Sequence, residues 1–478
     1  MTADYIAFHA AERPSAVALV SNGRPITYAE FSRDIRKFTQ ALREFEFPRG
    51  AKAAIECDDV YFHWLLRIAF EQLGVVTASF VAQRSPGPLP FLRDFDFVLS
   101  GTEICAANLR RHQPITPQWL QGILARADAG EEPVPAKGPD DPLRILHTSG
   151  TTGIRKTLLY SRRIHERSVA KSIWFNGFTR HSRYLLAMSF AIGGSYANAT
   201  ACIRSGATVV VENRMTVERA IASHGITHAT LPPFALKQVV DELPQGFIKP
   251  ADLTIFSFGA PVPNVLRDRV LERLATDVCD MYGTNEAGFV STARRRAEFG
   301  SVWPGVEIEV VDDGDLPLPF GEMGRIRVRT DCMVPGYLDD PVATGRMFRD
   351  GWFYAGDLGI LHGPHRLQVI GRSDDLLNIG WNKFSPSTLE DLVLRAAEVG
   401  DVGVCSISNA DGIEEICIAV SDARASDQEL LERITHAFRD LQLGRFRVVK
   451  VARVPRNANG KIQRNLLKDA AIRSTRVR

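Results

Sequence analysis

The sequence lacks an excess of charge of either sign, and this removes any overall electrostatic case for nucleic-acid binding. Its 478 residues carry 58 Lys and Arg against 56 Asp and Glu, a formal net charge of +2. It also lacks a window with the roughly 18 apolar residues that a membrane-spanning helix needs. The N-terminus is acidic and has no apolar core of the kind that marks a secretion signal. We expect a soluble cytoplasmic protein with no membrane span and no nucleic-acid partner.

Paired cysteines are also missing, and this excludes a disulfide framework or a zinc site built from cysteine pairs. The seven cysteines form no C-x-x-C pair and have no histidine at metal-ligand spacing. They stand singly, at Cys57, Cys105, Cys202, Cys279, Cys332, Cys405 and Cys417. We expect them to be small core residues in a reducing compartment.

The patterning of the first 371 residues predicts an α/β fold. Asn22-Gly23 separates two short apolar runs, which predicts a β-hairpin, and Thr27 to Glu30 predict the cap of a helix that continues to Leu42. Further along, strand-like and helical runs alternate, which predicts stacked α/β layers. From Gly305 onward, short alternating strands and frequent turns predict a β-rich subdomain. Residues 127–142, rich in Gly, Pro and acidic residues, predict a surface connection.

The end of the chain has a different texture, with two strand patterns, one helix and a basic tail. This predicts a small α+β domain at the C-terminus. We therefore expect a large N-terminal domain at residues 1–371 and a C-terminal domain at residues 372–478.

One loop has the composition of a triphosphate site. The stretch "HTSGTTGIRKT", residues 147–157, follows a strand pattern and combines glycines and hydroxyls with Arg155 and Lys156. Glycines allow close backbone approach, hydroxyls and amides donate to phosphate oxygens, and lysine supplies a point charge. The spacing differs from the Walker pattern. Taken alone, a run of this composition is more often a solvated Ser/Thr/Gly loop than a phosphate site.

Five further motifs give this loop a context. They follow in chain order as "FGAPVP" (258–263), "MYGTNEAG" (281–288), "GWFYAGDLG" (351–359), "VIGRSDDLL" (369–377) and "NANGKIQR" (457–464). With the loop, the set resembles the signatures of the adenylate-forming ligases, a superfamily of acyl-CoA synthetases, adenylation domains and luciferases. The resemblance runs along the whole chain and implies ATP-dependent activation of a carboxylic acid, with ATP and Mg²⁺ as cofactors.

The resemblance assigns the phosphate contacts to one set of residues, namely Thr148, Ser149, Gly150, Thr151, Thr152 and Lys156. It places Thr284 at the α-phosphate and implies that Glu286 and Thr151 hold Mg²⁺. Joining a carboxylate to AMP requires that charge be neutralised at the α-phosphate and at pyrophosphate, so these residue types suit the chemistry.

The nucleoside contacts implied by the resemblance come from other motifs. Tyr282 would stack near the adenine, and Asp357 would accept from the ribose hydroxyls with help from Arg372. Further nucleotide-binding positions are Gly259, Ala260, Pro261 and Gly283.

Two positions near the C-terminus matter for the reaction cycle. Lys461 matches the lysine that contacts both the acid and the α-phosphate during adenylation in this superfamily. Asp374 matches the hinge about which the small domain rotates before the second half-reaction. The resemblance thus implies that Lys461, Glu286 and Thr284 are catalytic.

The acid is expected to have no α-amino group. Amino-acid-activating members carry an aspartate that pairs with the substrate ammonium, and many aryl or acyl members carry a histidine at the equivalent place. The segment "LLAMSFAIGGSYANA", residues 185–199, has neither, and an unpaired ammonium in an apolar pocket would be costly. We expect an aliphatic or aromatic acid. Phe190, Phe234 and Phe258, with Gly283, either line and narrow its pocket or are ordinary core residues.

The acceptor of the acyl group is left with three alternatives. Gly380 matches a retained family glycine, whereas Trp381 replaces the glycine that lines the pantetheine passage in CoA-forming relatives. The acceptor is therefore a thiol of CoA or carrier-protein pantetheine with a rearranged passage, or else an amine, hydroxyl or other nucleophile. The third alternative, a non-catalytic nucleotide-binding relative, conflicts with the retained Lys461, Glu286 and Asp357.

Overall fold

We describe the chain from a computed structural model. It describes all residues except 49, 82–88, 105–108, 129, 131–137, 149–155, 374–376, 380–381, 409–413, 440, 442–445, 458–459 and 475–478. Within these described ranges, no helix combines the length and the apolar character needed to cross a membrane.

The helices are distributed along the whole chain. They are α1 (Thr2–Glu12), α2 (Tyr28–Arg43), α3 (Val60–Leu73), α4 (Pro117–Leu124), α5 (Arg162–Asn176), α6 (Gly193–Arg204), α7 (Val217–His224), α8 (Pro233–Asp241), α9 (Asn264–Arg273), α10 (Pro341–Met347), α11 (Pro386–Ala396), α12 (Asp427–Ala437) and α13 (Arg464–Arg473), with a 3-10 helix at Pro90–Asp94.

The strands of the first half alternate with helices, as the patterning predicts. They are β1 (Val17–Ser21), β2 (Arg24–Thr27), β3 (Lys52–Glu56), β4 (Val76–Ser79), β5 (Phe97–Ser100), β6 (His112–Pro114), β7 (Pro142–Thr148), β8 (Lys156–Ser161), β9 (Arg183–Leu185), β10 (Thr208–Val211), β11 (His228–Thr230) and β12 (Thr254–Phe258).

The first strands of the second half follow one another closely along the chain. This confirms the β-rich subdomain predicted after residue 305. The strands of this half are β13 (Asp277–Thr284), β14 (Gly288–Arg294), β15 (Gly300–Val302), β16 (Val306–Val311), β17 (Met323–Thr330), β18 (Phe348–Arg349), β19 (Trp352–Leu361), β20 (Arg366–Arg372), β21 (Leu377–Ile379), β22 (Asn382–Phe384), β23 (Asp401–Ser408), β24 (Glu414–Ser421) and β25 (Phe446–Lys450).

Local chemistry explains the first elements. Asn22 and Gly23 adopt φ values of 48° and 82°, which a two-residue turn of type I′ requires, and β1 pairs antiparallel with β2. Thr27 caps α2, because its hydroxyl accepts from the main-chain N–H of Glu30 at 3.1 Å. Both sequence predictions are confirmed.

The chain divides into two compact units. Unit 1 comprises residues 1–230, 285–288 and 330–348, and unit 2 comprises residues 231–284, 289–329 and 349–478. The motif at 281–288 therefore contributes its first residues to unit 2 and its last to unit 1. The predicted domain boundary at residue 372 is a different division and stays a prediction.

Unit 1 contains two sheets covered by helices. One has the strand order β6-β5-β3-β4-β7-β8 and is parallel except for the antiparallel pair β7 and β8. The other strands follow the order β11-β9-β10-β1-β2, parallel up to the β1–β2 hairpin. Apolar side chains of the first sheet, such as Ala54, Val98 and Ile145, pack with Phe80 and Phe95 as a core. These are the predicted α/β layers.

Unit 2 contains a long mixed sheet, a three-stranded sheet and the two-stranded pair of β21 and β22. The long sheet has the order β16-β17-β19-β20-β15-β14-β13-β12, and most neighbours are antiparallel. Strands β23, β24 and β25 form the three-stranded sheet. Buried residues of this sheet, including Val404, Ile418 and Val448, pack with Leu389 and Ile434 of α11 and α12. The C-terminal part thus has its own apolar core with the predicted α+β composition.

Candidate active site

The phosphate-loop motif joins β7 and β8 of unit 1. The strands are antiparallel, and Thr148 is paired in register with Lys156. The hairpin therefore holds Lys156 at the first position after the loop. Ser149, Gly150, Thr151 and Thr152 lie outside the described residues, as does the side chain of Thr148, so their phosphate contacts stay predictions.

Lys156 and Glu286 are joined by one tyrosine. The ammonium nitrogen of Lys156 lies 4.6 Å from the centroid of the Tyr337 ring, which is cation–π geometry. The hydroxyl of Tyr337 donates to Oε1 of Glu286 at 2.9 Å. Two of the predicted site residues of unit 1, from motifs 130 residues apart in the chain, are thus brought together by a residue that the sequence analysis did not select.

Main-chain and side-chain bonds hold this arrangement in place. Tyr337 pairs in an isolated antiparallel bridge with Leu158 of β8, and its N–H donates to the hydroxyl of Thr344 at 2.9 Å. On the other side, the hydroxyl of Tyr160 donates to the main-chain oxygen of Asn285 at 2.5 Å. The strand that follows the phosphate loop is therefore tied to the residue before Glu286.

Asp357 is the centre of a second group, in unit 2. It is 7% exposed on β19 and stands in register with Arg372 of β20. Its Oδ2 accepts from the hydroxyl of Tyr282 at 2.7 Å, and its Oδ1 accepts from Arg372 at 3.3 Å. Burial raises the pKa of Asp357, and the neighbouring Arg372, Tyr282 and the charge of Lys461 partly oppose this rise. The structure brings together these four predicted residues.

The "FGAPVP" segment leaves β12 with an exposed main chain. Gly259 adopts φ +92°, in the left-handed region that favours glycine, and a Cβ built there would have no atom within 4 Å. After Ala260 and Pro261, the N–H of Val262 donates to the carboxylate of Asp280 at 2.9 Å.

Asp280 fixes the end of this segment. It also accepts from Arg267 at 3.0 Å, and burial raises the pKa of Asp280. It lies two residues before Tyr282 on β13, which ends at Gly283 and Thr284. Asp280 thus anchors two of the predicted nucleotide-binding segments, and the sequence analysis did not identify it.

The loop that carries Lys461 is braced at its base. The N–H of Lys461 donates to Oδ1 of Asn457 at 3.0 Å, and Arg456 donates to the main-chain oxygen of Gly460 at 2.8 Å. Arg456 is itself held by Asp401 at 2.8 Å and 3.1 Å. Lys461 is exposed. The exposed ammonium is therefore carried on a main chain that is fixed one residue earlier.

Phe234 stands next to this lysine loop. A Cβ built at Gly460 would lie within 2.7 Å of three carbons of the Phe234 ring, so only glycine fits there without displacement. Phe234 is 37% exposed at the start of α8. The structure thus places a residue predicted to line the acid pocket against the residue before Lys461, within unit 2.

The other two predicted pocket phenylalanines have different ring partners. Phe190 is 3% exposed in unit 1, and its ring packs against Trp64 and Tyr196 at centroid distances of 5.2 Å and 5.1 Å. Phe258 is half-buried in unit 2 and packs against Phe289 at 6.2 Å. Their part in an acid pocket stays a prediction.

Three residues of the predicted hinge and acceptor passage, Asp374, Gly380 and Trp381, lie outside the described residues. The metal assignment can be compared with the chemistry of Glu286. Mg²⁺ at nucleotide sites takes about one or two carboxylates together with waters and phosphate oxygens. Among the residues that the structure describes, no group of three or more His, Cys, Asp or Glu could hold a metal alone. A single carboxylate, held by Tyr337, fits an ion that shares its ligands with a nucleotide.

Comparison with known families decides the identity of this fold. A family model described as AMP-binding enzyme matches residues 97–338, just over half of the chain. The chain belongs to the AMP-binding enzyme family. The resemblance inferred from the six motifs is thereby confirmed.

Members of this family with full-length similarity include two curated relatives. The chain is 25% identical over 506 residues to 4-coumarate–CoA ligase-like 9 of Oryza sativa subsp. japonica, covering 97% of this chain and 91% of the relative. It is 24% identical over 500 residues to the fatty acid–[acyl-carrier-protein] ligase ScoC of Streptomyces coeruleorubidus, covering 97% and 95%. One name refers to CoA and the other to an acyl carrier protein.

A solved structure of similar fold has a different description. The amide bond synthetase McbA of Marinactinospora thermotolerans superposes with a TM-score of 0.80, at 20% identity, and the match covers 98% of this chain and 99% of that one. The likeness confirms the α/β fold class.

Proposed function

We propose that this acid-activating ligase joins a carboxylic acid without an α-amino group to the AMP moiety of ATP and then transfers the acyl group to a thiol of CoA or carrier-protein pantetheine. The observation that carries the proposal is the buried carboxylate of Asp357, bonded to Tyr282 and Arg372, together with the cluster of Lys156, Tyr337 and Glu286.

In the first step, a carboxylate oxygen of the acid attacks the α-phosphorus of ATP. A new P–O bond forms, the bond from the α-phosphorus to pyrophosphate breaks, and no proton moves because the acid enters as its anion. Charge accumulates on the phosphoryl oxygens, so positive groups aimed at them lower the barrier. Lys156 and Lys461 would supply the positive charge, and Thr284 would donate a hydrogen bond to the α-phosphate.

The metal would be held by Glu286, with Thr151 as a second ligand. Mg²⁺ bound there would neutralise part of the charge of the phosphates. The hydroxyl of Tyr337 fixes the direction of the Glu286 carboxylate, since it donates to one of the two oxygens. Lys156 is kept at the end of the phosphate loop by its contact with the same ring.

Asp357 suits recognition of a ribose. A carboxylate that is 7% exposed is costly to charge unless donors surround it. Tyr282 and Arg372 supply two donors, and two ribose hydroxyls would supply more. Gly259, Ala260, Pro261 and Gly283 would approach the nucleotide through their main chain.

In the second step, the thiol sulfur attacks the acyl carbon, a thioester forms, AMP leaves and the thiol proton is released. We propose that the segment from residue 372 onward turns about Asp374 between the steps, withdrawing Lys461. Gly380 and Trp381 would then meet the acceptor. The CoA and carrier-protein ligases among the relatives support a thiol acceptor.

A second candidate is transfer to an amine or another non-thiol nucleophile. The observation that favours it is Trp381, an indole at the place where CoA-forming relatives have glycine. The likeness to McbA shows that a fold of this kind also occurs in a protein described as an amide bond synthetase. The fold therefore does not restrict the acceptor to thiols.

Acid-dependent ATP-pyrophosphate exchange over a panel of acids tests the first step. We expect exchange with one or more aliphatic or aromatic acids and none with amino acids. Absence of exchange with every acid would contradict the proposal and favour a non-catalytic nucleotide-binding protein.

AMP release with CoA, a carrier protein or amines then tests the acceptor, in the wild type and in Trp381→Gly. CoA-dependent turnover in the wild type supports the thiol acceptor. Turnover with amines only in the wild type supports the second candidate. CoA-dependent turnover that appears in Trp381→Gly would identify Trp381 as the block, and its absence in both forms would show that Trp381 is not what blocks the thiol.

A further inference from the structure

Two buried arginines, which come from different segments of unit 1, pack against the ring of the same tyrosine. Arg67 of α3 is 0% exposed and Arg144 of β7 is 2% exposed. Their guanidinium carbons lie 3.7 Å and 4.4 Å from the centroid of the Tyr196 ring. Arginines are rarely buried so completely unless a partner compensates their charge. We call Arg67, Arg144 and Tyr196 the arginine cluster.

The partners of the arginine cluster offset its charge only in part. Arg67 donates to the hydroxyl of Ser79 at 3.1 Å, and the nearest carboxylate oxygen, on Glu71, lies 3.9 Å from its Nη2. Arg144 donates to the main-chain oxygen of Phe190 at a long 3.4 Å. Within the described ranges, neither Nε has a hydrogen-bond partner. Two guanidinium groups therefore share one distant carboxylate.

Neighbouring histidines add no charge to the arginine cluster. Burial, together with the charges of nearby arginines, lowers the pKa of His63 to about 3 and that of His165 well below its usual value. Both rings are therefore neutral at physiological pH. Burial, and next the charge of Arg67, also lower the pKa of Arg144 to about 9. The cluster thus carries an excess of buried positive charge, which costs free energy unless an anion joins it.

One member of the arginine cluster, Tyr196, lies on the segment to which the family resemblance assigns selection of the acid. Tyr196 and Phe190 both belong to residues 185–199, the segment that lacks the aspartate and histidine of those members. The Phe190 ring packs edge-on against Tyr196 at 5.1 Å, and its main-chain oxygen accepts the bond from Arg144. The positive charge is therefore concentrated beside the residues that would contact the acid.

We propose that the acid is a dicarboxylate, or an acid with another anionic group at its far end, and that Arg144 and Arg67 recognise that group. This inference rests on the proposed function and specifies its substrate class. In this structure both guanidinium groups contact the Tyr196 ring. The second carboxylate of the acid would replace such a contact with charge-assisted hydrogen bonds, which are the stronger interaction. An ammonium at the same place would be repelled.

Exchange assays with matched pairs of acids test this substrate class. Hexanedioate is compared with hexanoate, and terephthalate with 4-methylbenzoate, so that a methyl group replaces one carboxylate. In the wild type we expect kcat/KM to be higher for the diacid by about tenfold or more, because a site with buried donors rejects an analogue that lacks the acceptor. Arg144→Gln should lower the diacid-to-monoacid ratio by about 10- to 100-fold.

Arg204→Gln is the matched control. Arg204 is a buried arginine on α6, the helix that also carries Tyr196. Unlike Arg144, it donates two hydrogen bonds to the carboxylate of Glu166, at 2.6 Å and 2.8 Å. Its loss should lower the unfolding temperature without changing the ratio between diacid and monoacid.

The outcomes separate this inference from the proposed function. If the wild type prefers the monoacid of each pair, the inference is wrong while adenylation stands, and this measurement needs no variant. A ratio that falls equally in Arg144→Gln and Arg204→Gln would also overturn it, because the effect would then be one of folding. Absence of exchange with every acid would overturn the proposed function and the inference together.

Discussion

The contact between Gly460 and Phe234 gives the sharpest test of the role of Lys461. Gly460 has φ +76°, and its carbonyl oxygen is held by Arg456. A methyl group at this position meets two obstacles. The main chain has to keep a left-handed conformation with a Cβ present, and the new carbon lies within 2.7 Å of three ring carbons of Phe234. Gly460→Ala should therefore displace the loop that carries Lys461.

The two effects have comparable size. A left-handed conformation costs an alanine about 1–2 kcal/mol. Phe234 is 37% exposed and can turn away, at about 0.5–1.5 kcal/mol for an unfavourable rotamer. The total of about 1.5–3.5 kcal/mol corresponds to a fall of about 10- to 400-fold in the exchange rate, if all of it opposes the conformation that adenylates the acid.

Two further variants separate the two effects. Gly246→Ala is the matched control, because Gly246 has φ +84° in unit 2 and a Cβ built there has no atom within 4 Å. It should lose stability but keep its exchange rate. Combining Gly460→Ala with Phe234→Ala should restore about fivefold of the lost rate, since only the steric part of about 1 kcal/mol is relieved.

The assay is ATP-pyrophosphate exchange at saturating ATP, with thermal unfolding measured on the same samples. Lys461→Ala defines the rate without the Lys461 ammonium and should retain ATP binding. Full exchange in Gly460→Ala would refute the reasoning, and so would full exchange in Lys461→Ala. If Phe234→Ala and Gly460→Ala have additive effects, the ring is not what the methyl group meets.

Two further predictions concern the other groups of the site. Tyr337→Phe keeps the ring beside Lys156 but removes the hydrogen-bond donor to Glu286. The exchange rate should therefore fall about tenfold, and a magnesium titration should show that more Mg²⁺ is required. An unchanged magnesium requirement would contradict the positioning role of Tyr337. Asp357→Asn should weaken ATP binding and alter the pH dependence of stability. Because burial raises the folded-state pKa of Asp357, its contribution to stability is present below the unfolded value of about 4 and is lost as pH rises through the folded value. Urea unfolding should therefore show the wild type losing stability relative to Asp357→Asn as pH rises above about 4, and a parallel pH course in the two proteins would count against this.

Features that depend on neighbouring residues could be predicted from the sequence. The Asn22-Gly23 hairpin and the Thr27 cap need only the residues beside them, and both occur as expected. The alternation of strands and helices, and the change of texture near residue 305, likewise follow from local patterning. The grouping of Asp357 with Arg372 was available only through the family motifs, since register between strands fixes it.

Residues that act through distant contacts could not be predicted in this way. Tyr337 is 51 positions from Glu286, and nothing in its immediate sequence indicates that bond. Asp280 and the main chain at Val262 are joined across separate segments in the same manner. One signal was present, because Arg144 interrupts the apolar run of Leu143, Ile145 and Leu146 in β7, and a charged residue in a buried strand indicates either a partner or a ligand.

The two half-reactions place different demands on the chain. Adenylation depends on positive charge at the phosphates, which Lys156 and Lys461 would supply directly and Glu286 would supply by holding Mg²⁺. These three residues belong to separate motifs, and each has its own neighbours that fix its position. Transfer to the acceptor depends on the volume of a passage, and one side chain such as Trp381 can change it. Charge acts over several ångströms, whereas exclusion of a narrow thiol requires only that an indole occupy its path. Acceptor choice should therefore change with fewer substitutions than acid activation.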